Sequence, residues 1–153
     1  MKSFVVAGAV VALASGTPAF AEQVLADQPK IVSLLQAKGY KAELIEGSDA
    51  DYVRTGDSGV PITIFFLNCA NGKRGCTTLQ FYTGFSKVKS TPDQINSWNR
   101  EQRWARAYID KSNDPVIEMD VNMDFGGTSR ELFYDNLATF IGTIPLFREH
   151  LKK

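Results

Sequence analysis

Histidine and cysteine are nearly absent from this chain of 153 residues, which has one His and two Cys. That scarcity excludes several chemistries. A structural zinc site needs four ligands, and His150 is the sole imidazole. Nucleophilic catalysis by a His-activated Ser or Cys would depend on that same residue. It lies close to the C-terminal Lys153, where a helix end frays, so His150 is expected to be a solvated side chain. An excess of one charge is missing too. Lys+Arg and Asp+Glu each total 17, which leaves no cationic surplus to neutralise phosphates and argues against general nucleic-acid binding. There is no internal repeat and no low-complexity tract. Gly126-Gly127 reads as a strand-to-helix turn and lacks the Lys of a phosphate-binding loop. Beyond the N-terminal stretch, no apolar run approaches the ~20 residues that span a bilayer.

The N-terminus does carry a signal. Lys2 supplies a positive charge, "FVVAGAVVALA" is uncharged and apolar, and Ala19-Phe20-Ala21 forms an A-x-A site. These are the three regions of a secretory signal peptide over residues 1–21. The expected product is one domain, 22–153, very slightly acidic once Lys2 is lost and placed in the periplasm or outside the cell. In such a thiol-oxidising space an even cysteine count reads as disulfides. In "NCANGKRGC" the spacing is longer than the C-x-x-C of a thioredoxin-like switch. A Cys69–Cys76 disulfide is therefore expected, worth roughly 2.5 kcal/mol as a short closed loop.

The elements alternate in kind. In "VLADQPKIVSLLQAKGY", Asp27 is an N-cap, Pro29 fits the first turn, Ile31, Leu34 and Leu35 share a face, and Gly39 ends the helix. "YKAELIE" and "DYVRT" read as a hairpin, as do "PITIFFLNC" and "CTTLQFYTGFS". If Cys69 faces Cys76, then Phe66 meets Leu79, Ile64 meets Phe81 and Ile62 meets Thr83, which makes one apolar face. "STPDQINSWNREQ" is a helix with a Thr91/Gln94 capping box and Pro92 in its first position. "RWARAYID" and "DPVIEMDVN" form a third hairpin; setting Ile109 against Ile117 puts Arg106 opposite Asp120 and Tyr108 opposite Glu118. The last segment is a long helix with a Thr128/Glu131 capping box, broken or kinked at Pro145. The order α-β-β-β-β-α-β-β-α gives an α+β fold, with helices packed on an antiparallel sheet.

Three constellations are candidates for function. The second face of the central hairpin collects Phe65, Leu67, Tyr82 and the cysteines, too apolar for ordinary surface. Either a helix or strand covers it, or it is a partner-binding patch. "WNREQRWARAY" gathers Trp98, Arg100, Arg103, Trp104, Arg106 and Tyr108, residue types that anchor protein interfaces but also fill helix-to-sheet corners. Asp120, Asn122, Asp124 and Glu131 fall at calcium-loop positions, although Phe125 occupies the place where such a loop needs Gly. Asp and Glu are plentiful, but no spacing singles out a hydrolytic pair.

"INSWNREQRWARAYID", "DPVIEMDVNMDFGGTSRELFYDNL" and "ITIFFLNCANGKRGCTTLQFYTGF" resemble the YbjN-domain family, and in particular its exported bacterial members. The segment from Trp98 to Tyr108 is the most specific part of the likeness. The resemblance implies an α+β fold akin to type III secretion chaperones, which are dimers, and a role in regulating sensory transduction. It carries no catalytic residues. The expected function is a non-enzymatic periplasmic module that binds a protein or peptide, self-associates as a homodimer and needs no cofactor. The alternatives are a carboxylate-based hydrolase and a calcium or small-ligand sensor.

Overall fold

The computed structural model describes residues 23–153, so the signal peptide expected at 1–21 lies outside the described residues. Strand β1 (Gln23–Val24) leads into helix α1 (Gln28–Ala37). Asp27 caps α1 by accepting the Lys30 N–H at 3.0 Å. At the other end Gly39 takes φ +93°, a left-handed conformation that suits glycine. The Gly39 and Tyr40 N–H groups then donate back to the Gln36 and Leu35 carbonyls and satisfy the last turn. Next come β2 (Glu43–Ile45), β3 (Tyr52–Asp57), β4 (Val60–Asn71) and β5 (Arg74–Gly84). Helix α2 (Pro92–Glu101), the hairpin β6 (Arg106–Ile109) and β7 (Pro115–Asn122), β8 (Thr128–Ser129) and helix α3 (Arg130–His150) complete the chain.

The order read from the sequence is the observed one, with two additions. β1 and β8 pair with each other as a two-residue ribbon, and the other strands form a six-stranded antiparallel sheet ordered β2-β3-β4-β5-β7-β6. One sheet face is the core. Its cross-strand rows are Val53-Ile64-Phe81-Met119, Phe66-Leu79-Val121 and Thr83-Ile117-Ala107, all buried. Against them pack Ile31 and Leu35 of α1, Ile95 and Trp98 of α2, and Phe133, Leu137, Phe140, Ile144 and Phe147 of α3. Phe81 sits between Phe133 and Phe140, with ring centroids 6.3 and 5.7 Å away. Fully burying each such side chain stabilises the fold by about 1.5–3 kcal/mol.

The central hairpin has the expected register: Phe66 opposes Leu79, Ile64 opposes Phe81, and Cys69 opposes Cys76 in a disulfide. The cysteines do not continue the second face, however. Asn68 adopts φ +54°, which breaks the side-chain alternation at the tip. Cys76 is buried within the core cluster, Cys69 packs against it, and Ala26 forms a bridge to Cys76. Three side-chain hydrogen bonds hold this tip to the body. Gln28 donates to the Lys73 carbonyl at 2.6 Å and accepts from Arg74, while Lys73 reaches Asp51 at 2.9 Å.

Four further expectations are corrected. The β6–β7 hairpin is shifted by two residues, pairing Ile109 with Pro115, Ala107 with Ile117 and Arg106 with Glu118. A shift of two preserves the faces. It arises because the connection is tight: Asp110 Oδ1 accepts the N–H groups of Ser112 and Asp114, and Asn113 takes φ +60°. α3 is capped by Ser129, which accepts the Leu132 N–H at 3.1 Å, and not by a Thr128/Glu131 box. Thr128 is drawn into β8 by its pairing with Val24, and its hydroxyl is buried without a partner among the described residues. Pro145 does not end α3, which runs on to His150. His150 is buried, not solvated. Its Nε2 lies 2.8 Å from the Gln94 carbonyl and its ring stacks edge-on against Trp98 at 5.6 Å. Gln94 meanwhile closes the α2 capping box and donates to the Leu151 carbonyl, so the end of α3 is tied to the start of α2.

Candidate functional site: the open sheet face

The helices and the core cluster lie to one side of the sheet. Of the residues on the other face, none belongs to that cluster. Strand register arranges this second face in rows. Arg54, Thr63, Tyr82, Glu118 and Arg106 lie side by side across five strands. The adjacent row is Tyr52, Phe65, Gln80 and Asp120, and the next is Leu67, Thr78 and Asn122. Tyr108 adjoins the first row through its pairing with Val116.

One half of the face is aromatic. Tyr52 and Phe65 have ring centroids 5.9 Å apart, and Phe65 meets Tyr82 edge-to-face at 5.5 Å. Such contacts are worth about 0.5–1.5 kcal/mol each beyond area burial. These rings are half-buried by one another, and one side of the ladder remains open to solvent.

The other half is polar and charged. Glu118 is only 4% exposed, although it stands on this face. Its carboxylate accepts the Arg106 Nε–H at 2.6 Å and lies near the Tyr108 hydroxyl. The Arg106 side chain stays 69% exposed, so the pair has one buried and one solvated partner. Burial first, and then the nearby Glu118 carboxylate, push the Tyr108 hydroxyl up to about 12. The Tyr82 hydroxyl is also raised, mainly by burial and further by Asp110, Glu118 and Asp114. A tyrosine beside carboxylates holds its proton, so this end of the face offers hydroxyl donors, not phenolates. Gln80 donates to Asp120 at 2.8 Å and fixes the neighbouring row.

The β6 edge is closed. Asn99 of α2 donates to the Ala107 carbonyl at 3.0 Å and accepts the Ala107 N–H at 2.8 Å. A side-chain amide thus completes the edge strand and blunts it against pairing with another chain. The face, and not this edge, is left available.

The structure divides the residues singled out from sequence. Phe65, Leu67, Tyr82, Arg106 and Tyr108 come together on the open face. Trp98 does not: it is buried, donates its indole N–H to the Ala105 carbonyl at 2.8 Å and packs on Phe147. Arg100 lies exposed on α2, and Arg103 and Trp104 are exposed on the connection to β6, Trp104 at 62%. Arg106 pairs with Glu118 in place of Asp120, a consequence of the shifted hairpin. The calcium set is not assembled. Asp120 is held by Gln80, and Asn122 accepts the Asp124 N–H in a local turn. Among the described residues no group of three or more His, Cys, Asp or Glu side chains is placed to hold a metal. Gln80 lies on the second face as the strand alternation implies, whereas Tyr52 and Glu118 were missed as members of the site. Their signal is the period-two alternation combined with the correct pairing, and for Glu118 that pairing depended on the turn.

An antiparallel sheet clad with helices on one side and bearing an aromatic and charged surface on the other defines an α+β protein. The family is a specific one. The YbjN family model, described as "Putative bacterial sensory transduction regulator", matches residues 30–153, and the chain belongs to that family. Among curated proteins no sequence matches the chain. No described helix is long and apolar enough to cross a membrane.

Proposed function

We propose that this chain is an exported, non-enzymatic regulatory module that binds a protein or peptide partner across its open sheet face. The observation that supports this reading is the Tyr52–Phe65–Tyr82 ladder, which continues into the Glu118–Arg106–Tyr108 cluster without a described element over it. Aromatic and Arg side chains of this kind supply large contact area at low entropic cost. The partner presents apolar side chains to the ladder and polar groups to the Tyr108 and Arg106 end. The N-terminal leader supports export, and the disulfide fits an oxidising compartment.

The hydrolase alternative is less well supported, because several carboxylates are already engaged in structural contacts. Glu118 serves Arg106, Asp120 holds Gln80, Asp51 holds Lys73, and Asp110 organises its own turn.

A photo-crosslinking residue at Phe65 or Tyr82, expressed in the native organism, tests the reading. The expected result is one defined adduct from the exported fraction that the same probe at Leu132, on α3, does not form. Equal or absent crosslinking at both positions would refute it.

A further inference from the structure

A second concavity lies away from the sheet face, where β4 begins and β5 ends against the last turns of α3. It is a cleft of about 660 Å³, within the size range of small-molecule sites. Val60, Phe85, Val88, Pro145 and Leu151 supply its apolar part. Three charged side chains also line it, Arg148, Glu149 and Lys152. Lys152 is neutralised by Glu149 at 2.6 Å. Arg148 is not: among the described residues it has no carboxylate partner, and its guanidinium lies over the Phe85 ring, 5.8 Å from the centroid. A guanidinium stacked on an aromatic ring has part of its rotamer freedom already removed, and its planar donor fork matches a carboxylate.

We propose that this cleft binds a small aliphatic carboxylate, with the acid group on Arg148 and the chain laid along Phe85, Val60 and Leu151. An apolar trough that ends in one unneutralised guanidinium selects a monoanion with a hydrocarbon body. A neutral alcohol forfeits the charge, and an amine places like charge beside Arg148. The site is independent of the sheet face, so its failure leaves the reading above untouched.

The test is a titration of the oxidised protein with octanoate, followed by amide chemical shifts. Octanoate is expected to bind with a Kd on the order of 0.1–1 mM, by the affinity per atom of small ligands. The shifts should centre on Gly84, Phe85, Ser86 and Val88. Octylammonium and 1-octanol should bind at least tenfold more weakly. Arg148→Gln should weaken octanoate at least tenfold, and Arg148→Lys should restore only part of it. Both changes are at an exposed position, and an unchanged thermal midpoint verifies folding. Val88→Asp, on the cleft rim, should also abolish binding and serves if Arg148→Gln is destabilised. Equal binding of octanoate and 1-octanol, insensitivity to both variants, or shifts centred elsewhere would each overturn the proposal. So would tight binding of a short peptide ending in Val with none of octanoate.

Discussion

Removing Arg106 tests whether the polar half of the open face is a built structure or an incidental contact. Glu118 is 4% exposed, and Arg106 is the side chain that pairs with it. Arg106→Met keeps most of the aliphatic stem and deletes the guanidinium. The carboxylate then keeps little access to water. Breaking a fully buried ion pair costs about 3–5 kcal/mol. That is an upper bound here, because the Arg106 side chain is 69% exposed and already shares its charge with solvent. Hydrogen bonds to charged groups, about 1.5–3 kcal/mol, are the better guide. The expected loss is about 2 kcal/mol, or a drop in Tm of roughly 4–8 °C for a chain of this size. Urea unfolding by circular dichroism measures it. The cause is an unpaired charge, so adding Glu118→Gln to Arg106→Met should recover more than half of the loss. A loss below about 0.5 kcal/mol, or a double variant no more stable than Arg106→Met, would refute the argument that Glu118 depends on this partner.

The tryptophans should behave oppositely. Trp98→Ala is expected to cost about 3–5 kcal/mol in urea unfolding, and Trp104→Ala less than about 0.5 kcal/mol. Phe125 is fully exposed and adopts φ +57°, a conformation that Asn tolerates better than Phe. Phe125→Asn should therefore stabilise the protein by about 0.5–1 kcal/mol, read as a higher urea midpoint. Tyr108, with its proton affinity raised in the folded state from 10.0 to about 12, contributes stability below pH 10 that is lost as the pH rises towards 12. Absorbance at 295 nm should show a late-titrating tyrosine fraction, and Tyr108→Phe should remove its latest part. Native protein should show no free thiol on alkylation, and Cys69→Ser with Cys76→Ser should lower unfolding stability by about 2.5 kcal/mol, the loop-closure value.

Much of the fold was legible because its rules are local. Capping at Asp27 and Thr91, the stop at Gly39 and the alternation of Ile62, Ile64 and Phe66 all follow from short stretches of chain. Cys69 and Cys76 supported the same register as those apolar positions, so one pairing satisfied two constraints. Where the chain was misread, an interaction distant in sequence or a turn's backbone geometry decided. His150 appeared to be a frayed end because nothing nearby shows that Gln94 and Trp98 will enclose it. Thr128 looked like a cap because β1, more than a hundred residues earlier, is what draws it into a strand. The two-residue slip of β6 on β7 turned on the side chain of Asp110 folding back on its own loop.

By itself, the amino-acid sequence determined where the three helices and the six strands of the main sheet form, which face of the central hairpin is apolar, and which chemistries the chain lacks the residues to perform. These are matters of period, capping and composition. Tertiary structure alone decided that all three helices pack on one side of the sheet. It likewise decided that Trp98 is core while Trp104 is surface, and that Glu118 is buried beside Arg106. The reason is geometric: alternation gives every strand two faces, and only the packing of distant elements chooses which of them meets water.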